Sequence, residues 1–292
     1  MLQTETNTEA IALVDAAIAD IGEIATLPEV TVKIIQIVEN PKSTARDLHL
    51  VIKNDPALSA RILKVVNSAF YGLPGQISGI DRAIVLLGLS AVKNIAIAAS
   101  MTHLFSGGSP IEGFSGTEVW RHSISTAVCA RLLSSAQGRP AVEESFLAGL
   151  MADLGLLVER QLFAKQLAEV IARMNNEGID FCALEEEIIG ANHQAFGMAL
   201  VTKWRFPQIL CTSIGYHHKP MTLAEVNREL PVIVHIAELL SCRAEIGFCT
   251  YPPIEEIPEE LLNVIGLTHD NIDDVYSNLP EQFSLAESIF TD

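Results

Sequence analysis

One carboxylate constrains this chain more than any other residue. The run Leu147-Ala148-Gly149-Leu150-Met151-Ala152-Asp153-Leu154-Gly155-Leu156-Leu157-Val158 is apolar at every position but Asp153. A carboxylate buried in such a segment costs several kcal/mol unless a hydrogen bond, a cationic side chain or a metal compensates it. Whatever the chain folds into must bring a partner to Asp153. Gly149, Ala152 and Gly155 leave room there for another helix to approach closely.

The surrounding pattern is helical. Ile11, Val14, Ala17, Ile18 and Ile21 follow i, i+3, i+4 spacing, as do Val32, Ile35, Ile37 and Val38 more loosely. Thr44-Ala45-Arg46-Asp47 and Ser78-Gly79-Ile80-Asp81 fit capping boxes, and Asp55-Pro56 sets a cap residue before a proline at the first helical position. Strand-like alternation is almost absent, so the predicted fold is all-α. Three regions are expected: an N-terminal helical segment over 1–107, a helical core carrying the histidines over 112–248, and an acidic helical tail over 249–292. The break falls at Ser106-Gly107-Gly108-Ser109-Pro110, which has linker chemistry.

With 36 acidic against 19 basic side chains, the 292-residue chain carries a net charge of −17. That field repels phosphate backbones and argues against broad nucleic-acid binding, while leaving room for a small anionic ligand. The stretch from Thr44 to Asn67 resembles a helix-turn-helix in outline. Its second helix is apolar (Leu58, Ile62, Leu63, Val65, Val66) apart from Arg61 and Lys64, which fits core packing and not groove reading. Cys129, Cys182, Cys211, Cys242 and Cys249 show no CxxC spacing, as expected of reduced cysteine in a cytoplasmic protein. Neither a signal peptide nor a membrane span is expected. The most apolar stretch, Ala83 to Ser100, contains Lys93 and Asn94 and is split by Gly88.

The candidate site residues are imidazoles and carboxylates. Glu118 and His122 are spaced i, i+4 on one helix face, although Ser115-Gly116-Thr117-Glu118 is itself a capping box. His193 lies near a predicted helix start. His217 falls in register with Leu210, Ser213 and Ile214 and faces inward, with His218 about 100° around the helix. Glu238 is a second carboxylate in an apolar helix, with His235 one turn earlier. The metal-ligand set is therefore His122, Asp153, His193, His217, His218, Glu238 and Glu118. Such donors suit a divalent transition metal: iron, manganese, nickel or zinc. No phosphate loop, dinucleotide fingerprint or nucleophile elbow is present, and no catalytic residue is assigned.

Leu27-Pro28, Asn54-Asp55-Pro56-Ala57-Leu58-Ser59, Leu63-Lys64-Val65-Val66-Asn67-Ser68-Ala69, Ile80-Asp81-Arg82-Ala83-Ile84 and Leu87-Gly88 resemble the opening of an HDOD domain. The resemblance spans about residues 24 to 245. It implies an HD-like helical core behind an HDOD-type segment, in a bacterial signalling or regulatory protein. Members generally lack the complete catalytic set of the related HD hydrolases. The second half is similar to HD-GYP phosphodiesterases. His122 matches their first histidine, Ala152-Asp153 their His-Asp doublet, His193 and His217-His218 the later histidines, and Glu238 a closing aspartate. Two departures stand out. Ala152 replaces an imidazole, and Lys219-Pro220-Met221-Thr222 stands where a GYP signature would follow. The expectation is a non-catalytic module that retains a metal and meets a signalling protein. The alternative is a metal-dependent phosphohydrolase acting on a cyclic dinucleotide.

Overall fold

The computed structural model describes residues 2–22, 27–39, 42–105, 111–138, 142–252 and 254–290. No β-strand occurs among them, only an isolated bridge between Ile111 and Phe114. The chain begins with α1 (Leu2–Asp20), α2 (Glu29–Glu39), α3 (Ala45–Lys53), α4 (Pro56–Val66), α5 (Ile80–Leu87) and α6 (Leu89–Met101). The histidine-bearing part follows as α7 (Gly116–Ala136), α8 (Val142–Met151), α9 (Leu154–Leu162), α10 (Ala164–Glu177), α11 (Phe181–Ile188), α12 (His193–Lys203), α13 (Gln208–Tyr216) and α14 (Glu229–Arg243). The short α15 (Glu259–Ile265) and the long α16 (His269–Phe290) close it.

Local chemistry sets many of these boundaries. Thr44 and Asp47 form the reciprocal capping box of α3, and Asp55 accepts from the Leu58 amide ahead of Pro56 in α4. Gly88, at φ 88°, ends α5 and starts α6. This backbone turn suits a residue without Cβ. The expected box at Ser78 does not form: Gly79 is the N-cap of α5, with no side-chain cap. Asn67 pins the loop after α4, holding the Ile77 amide and carbonyl at 2.6 and 2.8 Å. Leu58, Ile62, Val65 and Val66 are all buried, so α4 packs its apolar face inward. Ile11 is 56% exposed, because the inner face of α1 runs through Ala10 and Leu13 instead. The expected linker Ser106–Pro110 lies outside the described residues.

One apolar core runs through the molecule. At its centre α7 is surrounded by α8, α14 and α16. The indole of Trp120 on α7 donates to the Phe290 carbonyl at 3.0 Å, anchoring the end of α16. Among the described residues no helix is long and apolar enough to cross a membrane.

Three glycines set the positions of the site. A Cβ on Gly155 would overlap the His193 carbonyl oxygen, and one on Gly197 would press on Ile214. The backbones of α9 and α12 therefore touch, which brings His193 beside Asp153. Gly247, at φ 74°, lies directly on the α7 backbone at Glu118 and His122. This contact seats the segment after α14 over the same centre.

Candidate metal centre

Asp153 does not sit within a continuous helix, as its apolar flanks predict. α8 ends at Met151 and α9 starts at Leu154, with Asp153 in the N-cap position (φ −94°, ψ 14°). Its side chain caps nothing. It turns inward, 2% exposed, toward three imidazoles. Its oxygens lie 3.8 Å from His122 Nε2, 3.7 Å from His193 Nε2 and 4.0 Å from His217 Nε2. These gaps are too long for hydrogen bonds. Two atoms sharing a cation at about 2.2 Å each can stand no more than about 4.4 Å apart, so one cation can span any of these gaps.

Each of three imidazoles has its outer nitrogen held, which turns the inner one to the centre. His193 opens α12 behind its N-cap Asn192, and its Nδ1 lies 2.8 Å from both oxygens of Glu185. Nδ1 of His217 lies 2.7 Å from the Ile214 carbonyl, and Nδ1 of His122 3.1 Å from the Ile246 carbonyl. A carbonyl can only accept, so in both histidines Nδ1 carries a proton; in His217 this leaves the Nε2 lone pair toward Asp153, whereas His122 Nε2 also lies 3.3 Å from the Thr126 hydroxyl. This is how proteins fix imidazoles for metal ligation.

His218 also faces the centre. His217 is the C-cap of α13 with a backbone still right-handed helical (φ −63°, ψ −27°), and His218 after it reaches the same cluster. The His218 ring stacks on Tyr251 at 4.6 Å, and its Nε2 comes within 2.8 Å of His193 Nε2. Glu238 on α14 is fully buried, 3.7 Å from His217 Nε2 and 3.9 Å from His218 Nε2.

The donor atoms fall into two sets that share Asp153. In one, Asp153, His193, His217 and His218 each offer an atom within 4.8 Å of the others; in the other, His122, Asp153 and Glu238 do the same. Glu118 belongs to neither. It lies half-exposed at the start of α7, paired with Arg121 at 3.0 Å, and its amide is capped by Ser115. The helix N-terminus sets its environment, and the shared face with His122 does not bring it inward.

Sequence reasoning missed several neighbours of the centre. Glu185 backs His193, and Glu159 is a second fully buried carboxylate close by. Cys242 and Cys249 group with His122, and Cys182 with Glu185 and His193. Phe181, Leu184, Glu185 and Ile188 share helical spacing, so Glu185 falls on the apolar face of α11. That signal was present, masked by the acidic run Glu185-Glu186-Glu187.

The charges are poorly compensated without a cation. Burial, then the Asp153 charge, pushes Glu238 well above the usual carboxylate range. Burial also raises Glu159 and Glu185. His217 and His218 are held well below the ordinary histidine value by burial and by the neighbouring imidazoles, and burial lowers His193. His122 is the exception. Burial lowers it, but the Cys249 sulfur, held down at about 5 by its Cys242 and His122 contacts and so charged, and the Asp153 charge outweigh that and hold it at about 9. Asp153 Oδ1, His217 Nε2 and both oxygens of Glu238 are buried without a hydrogen-bond partner. Native proteins rarely leave such groups bare. Imidazole and carboxylate donors arranged this way fit a borderline divalent cation.

Comparison with known proteins bears on the fold and the family. Over 264 residues the chain is 26% identical to an uncharacterized protein of Treponema pallidum (strain Nichols); the match covers 90% of this chain but only 49% of that protein, so the chain spans about half its length. Among crystal structures, an HDOD domain protein of unknown function from Geobacter sulfurreducens superposes with TM-score 0.83 at 22% identity, covering 97% of this chain and 98% of that one. A protein from Marinobacter aquaeolei VT8, provisionally named for signal transduction, gives 0.78 at 20% identity, covering 98% and 66%. One from Shewanella amazonensis SB2B, provisionally named a phosphohydrolase, gives 0.74 at 21% identity, covering 96% and 97%. At these identities the likeness establishes the fold. The HDOD domain model itself matches residues 24–220, about two thirds of the sequence and including Asp153, His193, His217 and His218, and the chain therefore belongs to the HDOD family.

Proposed function

We propose that this protein is a non-catalytic bacterial signalling or regulatory module whose core holds a divalent transition metal. Asp153, His193, His217 and His218 hold the cation, with His122 and Glu238 on its other side. The observation that carries the reading is the contrast at one dipeptide. Asp153 is aimed at the imidazoles of His122, His193 and His217, while Ala152 beside it offers a buried methyl, 1% exposed, where the related hydrolases place an imidazole. The metal then serves as a structural and sensing element, coupling six side chains from five segments of the chain. Its output is contact with a partner protein of a signalling chain.

A second reading, a metal-dependent phosphohydrolase, is favoured by one observation: Asp153 belongs to both donor sets, the layout of a two-cation site. Metal there would supply Lewis acidity toward a small anionic phosphate ester.

Elemental analysis of purified protein, paired with turnover assays on cyclic dinucleotides and simple phosphate esters, separates the readings. Stoichiometric metal without turnover is expected. Absence of any transition metal from protein purified without chelator overturns the metal centre, and metal-dependent turnover promotes the second reading.

A further inference from the structure

The chain turns back on itself after α14. Glu245 and Gly247 both take left-handed backbone angles, φ 54° and φ 74°. The Glu245 and Ile246 amides bond to the Cys242 and Ser241 carbonyls at 3.0 and 3.2 Å, and the Phe248 amide bonds to the Glu118 carbonyl of α7 at 3.0 Å. A positive φ at a residue with a side chain is uncommon, and here hydrogen bonds on both sides hold it. The return brings Cys249 beside Cys242, in the last turn of α14. Their sulfurs lie within 4.8 Å of each other.

Access distinguishes the two thiols. Cys249 is partly exposed, whereas Cys242 is buried, as are Cys129, Cys182 and Cys211. A small solute therefore meets Cys249 first, with a second thiol directly behind it. A disulfide is about 2.05 Å long, so the two sulfurs need close by no more than about 2.8 Å, a distance that rotation about the Cα–Cβ bonds can supply. An accessible thiol backed by a resolving thiol is the arrangement of a redox-responsive pair. We propose that Cys249 and Cys242 form a modification site for hydrogen peroxide, at which the two thiols close to a reversible disulfide. The Cys249 sulfur attacks one peroxide oxygen; the O–O bond breaks, and the departing hydroxide leaves as water with the thiol proton. Cys249 is then a sulfenic acid. The Cys242 sulfur attacks the Cys249 sulfur; the S–O bond breaks, the S–S bond forms, and the second hydroxide leaves as water with the Cys242 proton. Two thiols are oxidised and one peroxide is reduced to two waters. A thiol reductant restores the pair by exchange. The bond ties the segment that carries Tyr251, whose ring stacks on His218, to the end of α14. The chemistry needs only the two sulfurs, whether or not the neighbouring centre holds a metal.

The test uses the full chain, reduced and then freed of metal with chelator. One equivalent of hydrogen peroxide is added, remaining thiols are blocked by alkylation, and the cysteines are mapped by peptide mass spectrometry. Loss of two of the five free thiols is expected, joined as an intramolecular disulfide between Cys242 and Cys249 and recovered with a thiol reductant. Cys242→Ser should stop at a sulfenic acid on Cys249, captured by a cyclic diketone probe, and Cys249→Ser should leave Cys242 a thiol through the same treatment. The proposal is overturned if the native chain keeps all its thiols, if Cys249 is not among those lost, if the disulfide joins two chains, or if Cys249 passes to sulfinic acid without bonding Cys242. The native chain alone decides these outcomes, so a variant that fails to fold leaves the test intact.

Discussion

Nδ1 of His193 lies 2.8 Å from each oxygen of Glu185, and both residues are fully buried. Glu185 touches none of the proposed cation's other ligands, yet it decides which way His193 points. Removing such a backing carboxylate typically costs about 10–100-fold in metal affinity. Glu185→Gln keeps the volume and a hydrogen bond but loses the charge. It should weaken metal binding within that range in a competition titration against a chelator, with the melt of the metal-free protein little changed. Unaltered affinity would mean that His193 is not a ligand.

Asp153→Asn tests the centre itself. With a metal present, the variant should lose its metal and melt like chelator-treated native protein, because the stabilisation lost is that of binding. If Asp153 served only as the partner of a buried imidazolium, the result reverses. Chelator would then leave the native melt unchanged, and the variant would lose about 3–5 kcal/mol from the uncompensated charge.

Much of this centre can be read along the chain. Asp153 stands out because nothing near it in sequence can satisfy it, and the inward register of His217 with Leu210 and Ile214 follows from helical spacing alone. What cannot be read depends on where helices stop and how backbones meet. His218 is held at the centre by stacking on Tyr251 and by its approach to His193, contacts that no spacing along α13 reveals. Glu118, on the right face by spacing, stays with Arg121 at the helix start. Cys249 and Tyr251 reach the centre because Gly247 lets the chain lie on α7, a contact between residues more than a hundred positions apart.

Gly155→Ala examines the approach of α9 to α12. The added methyl overlaps the His193 carbonyl oxygen, and backbone yields less readily than a side chain. The expected cost is about 1–3 kcal/mol, as for other overpacked cores, with metal affinity falling as His193 is pushed away. Urea unfolding measures the first and chelator competition the second. Native-like values in both would show that the two backbones are not in contact.

His235 gives the metal-free protein a defined pH dependence. Burial lowers it from 6.5 to about 4, and its Nδ1 lies 3.2 Å from the Tyr251 hydroxyl. As pH falls, the unfolded chain takes up this proton first. The stabilisation is therefore complete above about 6.5 and is lost progressively down to about 4. His217 and His218 shift in the same direction. Each such proton contributes a slope of up to about 1.4 kcal/mol per pH unit within its window. The raised carboxyls of Glu159, Glu185 and Glu238 run the opposite way but are common to native protein and variant, so urea melts of chelator-treated protein across pH 4 to 7 should show a native-minus-His235→Gln stability difference that rises with pH. An unchanged slope in the variant would place the titration elsewhere.

The decisive substitution is Ala152→His. Hydrolysis of phosphate esters in cores of this kind relies on charge placed around the phosphoryl oxygens, and the methyl at position 152 withholds one imidazole from that arrangement. The native chain is therefore expected to show no appreciable turnover of cyclic dinucleotides or simple phosphate esters. An imidazole at a position only 1% exposed overfills the core at a cost of about 1–3 kcal/mol, so the variant should melt lower when metal-free. If the native site is a decayed hydrolase centre, the variant regains part of that loss on metal addition, binds more metal per chain than the native protein, and gains measurable turnover. Added metal without turnover would place the catalytic deficit beyond position 152, at the missing signature after His218. Robust turnover by the native chain, abolished by Asp153→Asn, would show that Ala152 is no obstacle and that the protein is a phosphohydrolase.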